Sequence, residues 1–126
     1  MAFTPPRCHH WSVSLADWYW QSLDFATRQT SLNGHQAVLD GDGIFRGVIA
    51  HTDPGVPNWL DTAGHTQGTI APRFLLAESA PVPQLRAVKL AGLRSELPTD
   101  TPRVTPEQRM EALERRRHAV LRRYRR

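Results

Sequence analysis

Residues 40–52 read Asp-Gly-Asp-Gly-Ile-Phe-Arg-Gly-Val-Ile-Ala-His-Thr, and this stretch decides the fold class. The Asp-Gly-Asp-Gly segment is typical of a turn, because glycine adopts positive φ angles without steric cost. In the following strand, Ile44 to Thr52, successive side chains point to opposite faces, so that Ile44 and Val48 lie on one face and Phe45 and Ile49 on the other. The stretch therefore predicts a turn that leads into a β-strand.

Further strands are predicted on both sides of this one. Trp11, Val13 and Leu15 alternate with serines, which is the pattern of a half-buried strand. A weaker strand at residues 30–32 ends at an Asn-Gly turn, and a short one is predicted over 85–90. A long strand over 68–77 is expected to place Ile70, Phe74 and Leu76 in the core, with Pro72 marking an edge or a bulge.

The C-terminal segment has the start signals of a helix. Thr105 is a natural N-cap, Pro106 suits the first helical position, and Gln108 completes a capping box. An apolar stripe at helical spacing is expected to dock on the body or on a partner chain; its members are Met110, Leu113, Val120, Leu121 and Tyr124. The chain thus divides into a β domain over 1–97, a Pro-rich linker over 98–104 and an Arg-rich helix over 105–126.

Composition excludes several classes of protein. The 126 residues contain one cysteine, Cys8, so the chain has no internal disulfide and no cysteine cluster for zinc. No apolar run approaches the ~18 residues that span a bilayer, and the first residues lack the apolar core of a signal peptide. We therefore expect a cytoplasmic protein without contact to a membrane.

The positive charge is concentrated at the C-terminus. Residues 103–126 contain nine arginines and three glutamates, a net charge of +6, while the rest of the chain is close to neutral at −2. A uniformly basic protein would indicate a nucleic-acid partner more strongly. Nucleic-acid binding through the helix therefore stays an alternative of lower rank.

Polar side chains of chemical interest gather in the long loop over 53–67 and at the strand ends beside it. They are His51, Asp53, Asn58, Trp59, Asp61, His65 and Arg73. One interpretation is a ligand-binding pocket, with a His/Asp metal site or an acid–base pair as further forms of it. The favoured interpretation is structural: Asp53 caps the Pro-Gly turn, Asp61 binds the backbone of residues 62–64, and Trp59 closes the end of the β domain. We expect no metal and no cofactor.

Two further features allow a structural and a functional interpretation. Arg73, in mid-strand, is expected to be buried and paired with Asp61 or Asp53, the alternative being recognition of an anionic ligand. The aromatic run Trp18-Tyr19-Trp20 is interpreted as a domain-contact surface, the alternative being a platform that stacks sugars or bases.

The segment His51-Thr-Asp-Pro-Gly-Val-Pro-Asn-Trp-Leu-Asp-Thr-Ala-Gly-His65 resembles the C-terminal part of the domain of unknown function 1214 family, in its actinobacterial form. The strand over 11–15, the Asp42-Gly43 turn and the segment from Gly68 to Arg73 support the resemblance, which covers roughly residues 9–78. It implies an antiparallel β-sandwich of jelly-roll character. It also implies a preceding domain of unknown function 1254 or other upstream sequence, so this chain is interpreted as a truncated or stand-alone member.

The sequence predicts a mainly β protein, an antiparallel, jelly-roll-like β-sandwich with one C-terminal α-helix. Its expected function is that of a binding or interaction module, an accessory domain of a larger protein that meets a protein partner or a second copy of itself, with a small-molecule ligand also possible. The alternatives are part of a hydrolase- or lyase-type active site on the 53–67 loop, and nucleic-acid binding. We expect this chain alone to lack enzymatic activity.

Overall fold

A computed structural model describes residues 1–125 of the chain, and Arg126, the last residue of the predicted helical segment, lies outside the described residues. Seven strands come first and the helices follow. The strands are β1 (Ala2–Phe3), β2 (His10–Ala16), β3 (Ser31–Asn33), β4 (Phe45–Arg46), β5 (Val48–Ala50), β6 (Trp59–Asp61) and β7 (Thr69–Leu75). The helices are a 3-10 turn (Leu90–Gly92), α1 (Leu93–Glu96) and α2 (Pro106–Tyr124).

The largest sheet has the order β3-β2-β7 and is antiparallel throughout. Its central strand β2 buries Trp11, Val13 and Leu15 and turns its serines to partly exposed positions, as the alternating sequence predicts. Trp11 lies opposite Phe74, and Leu15 lies opposite Ile70. Both partners on β7 are partly buried against the core, which confirms two of the three core positions expected there.

The predicted strand over 44–52 is divided in two at Gly47. Before the glycine, β4 pairs with β1 in antiparallel register, with Phe45 opposite Phe3. After it, β5 runs parallel to β6, with Val48 opposite Trp59. The Gly47 amide donates a hydrogen bond to the Met1 carbonyl at 2.9 Å, and a Cβ at this position would lie 3.0 Å from the Phe45 ring. Glycine at this position therefore leaves room for the backbone to pass from pairing with β1 to pairing with β6.

An aromatic cluster joins the small β1–β4 sheet to the large sheet. The Phe3 ring meets those of Trp11, Phe45 and Phe74 at centroid distances of 5.2–5.6 Å, mostly edge to face. Phe45 is fully buried. Edge-to-face contacts of this kind stabilise aromatic pairs beyond the area that they bury. This part of the core thus lies between Phe3 and the adjacent ends of β2 and β7, where Trp11 pairs with Phe74.

The end of β7 differs from the prediction. Leu76, expected in the core, is 80% exposed and adopts a φ of 49°. The strand therefore ends at Leu75, two residues before the predicted end at residue 77. Pro72 lies on a strand that pairs only with β2 among residues 1–125, in agreement with the predicted edge position. An edge strand tolerates proline because one side of its backbone needs no ladder hydrogen bond.

The strand predicted over 85–90 is wrong. Only a single bridge, between Ala2 and Gln84, joins this region to a strand, and the chain then enters the 3-10 turn and α1. The expectation of one helix is therefore also wrong, because α1 precedes the C-terminal helix. The segment after α1 attaches to the body through Thr101, whose hydroxyl donates a hydrogen bond to Asp40 Oδ1 at 2.7 Å.

Helix α2 begins as predicted, and part of the predicted apolar stripe lies on its docking face together with two arginines. Thr105 accepts a hydrogen bond from the Gln108 amide, and the Gln108 side chain accepts one from the Thr105 amide, completing the capping box. Three members of the apolar stripe, Met110, Leu121 and Tyr124, are exposed. The face turned to the body carries Arg109 and Arg116, and the other two members of the stripe, Leu113 and Val120, are half-buried at the same helical spacing. Within residues 1–125, no helix combines the length and the apolarity required to cross a membrane.

Candidate functional site

The long loop begins with a turn that Asp53 holds in shape. Asp53 Oδ1 accepts a hydrogen bond from the Gly55 amide at 2.8 Å, and Gly55 has a φ of 69°. A type II turn requires a positive φ at its third residue, which glycine adopts without strain. The capping role predicted for Asp53 is therefore confirmed. The hydrogen bond from Gly55 uses one of the two carboxylate oxygens, Oδ1.

Arg109 of α2 binds the same carboxylate. Its Nε donates to Asp53 Oδ2 at 2.8 Å and its Nη2 to Asp53 Oδ1 at 3.2 Å, a bidentate ion pair. The same guanidinium donates to the Val56 carbonyl at 2.5 Å and to Gln29 Oε1 at 3.1 Å. Its carbon lies 5.2 Å from the centroid of the Trp59 ring, within range of a cation–π contact. This buried arginine fixes the start of α2 to the loop.

The indole of Trp59 is buried under this guanidinium. Its Nε1 donates a hydrogen bond to the Ala50 carbonyl at 3.0 Å, so its only polar group is satisfied. Gln29 lies beside it and donates to the carbonyls of Pro57 and Trp59 at 2.9 and 2.6 Å. The structural role expected for Trp59 agrees with these contacts, because the side chain has no exposed face to offer a ligand.

The Asn58 side chain pairs with the backbone of Val38 in the way that a neighbouring strand would. Its side-chain oxygen accepts from the Val38 amide at 2.9 Å, and its Nδ2 donates to the Val38 carbonyl at 2.6 Å. Both polar groups of the buried amide are thereby used. A buried amide that is paired on both sides supports the fold and has little capacity left for a ligand.

Asp61 is buried and shared between a turn and a cation. Its Oδ1 accepts from the Ala63 amide at 2.8 Å, as the sequence predicts, and its Oδ2 accepts from Arg28 Nη1 at 2.9 Å. Ala63 and Gly64 follow with φ angles of 50° and 81°. The hydrogen bond from Asp61 therefore holds a tight turn in which two consecutive residues have positive φ.

The two histidines of the loop stay near the surface. His51 Nδ1 lies 2.5 Å from the Thr62 hydroxyl, and both His51 and His65 are exposed. No group of three or more His, Cys, Asp or Glu side chains is arranged to hold a metal ion within residues 1–125. The structure thus brings His51 to Thr62 instead of to Asp53, whose carboxylate faces Arg109.

Arg73 does not occupy the position expected for it. The side chain is exposed on β7, and it has no ion-pair partner among the described residues. The carboxylates predicted to pair with it bind other arginines, Asp61 with Arg28 and Asp53 with Arg109. The prediction failed because Arg73 lies opposite Ser12, on the partly exposed face of the sheet, while the core side chains lie on the other face.

The aromatic run after β2 forms a rigid exposed turn, which we call the aromatic turn and define as Trp18–Trp20. Its side chains are 68%, 81% and 74% exposed. Asp17 Oδ1 accepts hydrogen bonds from the amides of Tyr19 and Gln21 at 2.8 and 2.9 Å, and the Asp17 amide donates to the Gln21 carbonyl at 2.9 Å. Trp20 has a φ of 65°. The backbone is thus fixed while the rings remain in water.

A cleft of about 490 Å³ lies between the aromatic turn and the loop. Trp18 and Tyr19 form one wall, and residues 63–67 form the other. A second cavity of about 210 Å³ shares residues 65–67 and has an apolar floor that includes Leu23 and Ile70. Thr69 Oγ1 lines this cavity and has no hydrogen-bond partner among the described residues. The aromatic turn therefore lies directly beside the cleft, and the cavity adjoins the cleft through residues 65–67.

Sequence reasoning missed three residues that position this region: Gln29, Arg28 and Arg109. In the sequence, Arg109 is one of the nine arginines of the basic C-terminal segment. Its spacing of seven from Arg116, with Ala112 between them, is the one available signal, because these residues share one side of a helix. Gln29 and Arg28 lie in a segment without periodicity, and only the tertiary structure brings them to the loop.

A crystal structure of an uncharacterized protein from Burkholderia cenocepacia is similar to this chain, with 42% sequence identity and a TM-score of 0.68. The match covers 71% of this chain and 25% of that one. This chain matches part of a longer polypeptide. No family model matches the chain, and neither does any functionally curated protein. The similar structure therefore carries three quarters of its length outside the matched region, without an assigned activity.

Proposed function

We propose that this chain is a protein-interaction module that docks on another domain of a larger polypeptide through the aromatic turn. The observation that carries the proposal is the exposure of three consecutive aromatic side chains, each two-thirds or more accessible, on a backbone fixed by Asp17. Tryptophan and tyrosine are the residues most enriched in the energetic centres of protein interfaces.

The size of the surface agrees with this role. A Trp or Tyr side chain buries about 150–250 Å² when it is covered. At the observed exposures the three side chains offer roughly 400 Å², about half of the ~800 Å² per partner of a standard interface. The adjacent cleft provides further contact area. The aromatic turn would thus form the centre of an interface with the loop at its rim.

Rigidity lowers the cost of docking. A flexible loop loses conformational entropy when it binds, whereas a turn already held by three hydrogen bonds does not. The left-handed φ of Trp20 is itself unfavourable for a tryptophan, at a cost of order 1–3 kcal/mol. Strain of this kind is concentrated at binding sites.

The occupant that we propose is a second domain of the same polypeptide or of its tightly bound partner chain. The similar Burkholderia cenocepacia protein has about three times as much chain outside the matched part as within it. A contact surface on this quarter of the protein would then be covered in the full-length molecule. A second copy of this chain is the competing occupant, and the experiment below separates the two.

We extend the proposal to fold and family. The Phe3–Trp11 and Phe3–Phe74 contacts join two sheets across a shared core, which supports a β-sandwich of jelly-roll character. The family that we propose is the domain of unknown function 1214, on the strength of the residues from His51 to His65. We propose no catalytic activity for this chain, because the carboxylates and amides of the loop are engaged by Arg109, Arg28 and backbone groups.

The test uses the tryptophans as reporters. Two of the four, Trp18 and Trp20, are exposed, and Trp11 and Trp59 are buried. The Burkholderia cenocepacia protein lacking its matched quarter is titrated into this chain, and acrylamide quenching of tryptophan fluorescence is measured. We expect protection of the two exposed tryptophans, and loss of binding in the Trp18→Ala/Trp20→Ala variant.

A matched control removes two exposed apolar side chains elsewhere, Val82 and Leu85, as Val82→Ala/Leu85→Ala. The control should bind as the wild type does. Sedimentation velocity of this chain alone identifies the other occupant: a dimer that dissociates in the Trp18→Ala/Trp20→Ala variant would show that a second copy covers the turn. Absence of binding together with a monomer at all concentrations would refute the proposal.

A further inference from the structure

Helix α2 is divided into two halves of different charge. Residues 106–114 contain all three glutamates of the helix, whereas residues 115–125 contain six arginines, His118 and no acidic residue. Glu111 compensates only Arg115, at 3.7 Å between exposed groups. Arg117, Arg122 and the later arginines form no ion pair within residues 1–125, so the second half of α2 is a strongly positive surface.

Two arginines determine which side of the helix faces the solvent. Arg109 is buried against the loop, and Arg116 donates to the Ser31 carbonyl at 2.5 Å and to Ser31 Oγ at 3.2 Å. Burial lowers the pKa of Arg116, which stays charged at neutral pH because the free value is far above it. These anchors are seven residues apart, two helical turns, and together fix the rotation of α2 about its axis.

With this rotation a row of cations points away from the body. Arg115, His118, Arg122 and Arg125 follow one another at spacings of three and four residues and, with Leu121, line a shallow concavity of about 530 Å³. All of them are exposed. The row is about 15 Å long at 1.5 Å per residue, which corresponds to the axial rise of roughly four nucleotides in one strand of a duplex.

We propose that this row, Arg115–His118–Arg122–Arg125, is a binding site for the phosphate backbone of a nucleic acid. The proposal is independent of the aromatic turn. Fifteen of the sixteen basic side chains of the protein are arginine, whose planar guanidinium binds phosphate oxygens with two parallel hydrogen bonds. Arginines at helical spacing repel one another, and a row of phosphates would relieve that repulsion.

The apolar residues of the helix favour a nucleic acid over a lipid surface. A helix that lies on a membrane needs one continuous apolar side. Here the exposed apolar residues do not form one, because Met110 is eleven residues before Leu121, and Glu114 and Arg117 lie between them. Tyr124 is exposed at the end of the row, where an aromatic ring can stack on a base.

The test is binding of a fluorescein-labelled single-stranded DNA oligonucleotide, measured by anisotropy between 50 and 200 mM salt, with a 20-mer of mixed sequence as the probe. The variant Arg115→Gln/Arg122→Gln/Arg125→Gln removes three contacts. We expect its affinity at the lowest salt to fall about tenfold or more. The slope of log K against log salt should become shallower by about 2, since each single-strand phosphate contact contributes roughly 0.7.

The matched control is Arg7→Gln/Arg73→Gln/Arg103→Gln, which removes the same number of positive charges from exposed sites outside α2. We expect this variant to keep most of the affinity. Equal losses in both triple variants would show that binding follows net charge alone, and would overturn the proposal, as would a wild-type protein that does not bind the probe. Binding to phosphatidylserine vesicles in preference to the oligonucleotide would assign the row to a membrane instead. Far-UV circular dichroism of both variants confirms that α2 remains folded.

Discussion

Arg109 is the side chain that attaches α2 to the body, and its removal should release the helix. The substitution Arg109→Met keeps most of the side-chain volume and deletes the guanidinium. Four hydrogen bonds are lost: two to Asp53, one to the Val56 carbonyl and one to Gln29, together with the contact to the Trp59 ring. No other side chain in the neighbourhood can replace these donors.

The expected loss of stability is about 3 kcal/mol. Breaking one partner of a buried ion pair costs roughly 3–5 kcal/mol, because the remaining charge is left without compensation. The Asp53 side chain is 31% exposed, so water solvates part of its charge after the change and the lower end of the range applies. For a chain of this size about 3 kcal/mol lowers the Tm by roughly 10 °C.

The assay is urea denaturation followed by circular dichroism, with limited trypsin digestion as the local probe. Undocking exposes α2 to the protease, so cleavage at Arg115 and Arg117 should be faster in Arg109→Met. The control Arg115→Met alters an exposed arginine of the same helix and should change stability by less than about 0.5 kcal/mol. Equal stability of Arg109→Met and this control would refute the reasoning.

Two further predictions concern other polar contacts of the body. Arg46, through its hydrogen bonds, lowers the pKa of Asp42 from 3.8 to about 2. The stability that the charged carboxylate contributes is therefore present above pH 3.8 and is lost as the pH falls toward 2. Over that range the Tm of the wild type should drop more steeply than the Tm of Asp42→Asn. Parallel Tm curves would contradict this. Asn58→Ala should cost about 2–3 kcal/mol in urea denaturation, because the amide and carbonyl of Val38 lose their partners. A loss below about 1 kcal/mol would show that water replaces the side chain there.

Local signals predicted the elements that depend on local chemistry. The alternation around Val13 predicted β2, the capping box predicted the start of α2, and the Asp53 and Asp61 turns have the hydrogen bonds expected of them. Each of these features is decided within a few residues of the sequence. They therefore form in the structure much as the residues alone indicate.

The predictions that failed depend on distant contacts. The strand over 44–52 breaks at Gly47, whose amide donates a hydrogen bond to the carbonyl of Met1, and a contact over this sequence distance is not visible in the local sequence. The docking face of α2 was assigned to its apolar stripe, since hydrophobicity is the usual signal. Only Leu113 and Val120 of that stripe are half-buried, and the hydrogen bonds to the body come from Arg109 and Arg116, because the surface under the helix presents Asp53 and backbone carbonyls.

The sequence predicted where the candidate site lies, but it did not predict which contacts its side chains make. The two carboxylates of the loop over 53–67 hold turns as predicted, but Arg28 and Arg109, the arginines that bind them, come from segments far away in the sequence. The exposure of the aromatic turn agrees with its interpretation as a contact surface. The partner that we propose for the aromatic turn lies outside this chain, so the sequence carries no signal that identifies it.

The most direct test of the proposed docking role compares one pair of substitutions in two contexts. This chain is substituted for the matched quarter of the Burkholderia cenocepacia protein, and Trp18→Ala/Trp20→Ala is introduced into the chimera and into the isolated chain. Exposed side chains contribute little to the stability of the isolated chain, so its Tm should change by no more than 1–2 °C, corresponding to about 0.5 kcal/mol. If another domain covers the turn in the chimera, as we propose, the Tm of the chimera should fall several times as far. An equally small change in both would contradict the account, because it would show that the aromatic turn remains uncovered in the larger protein.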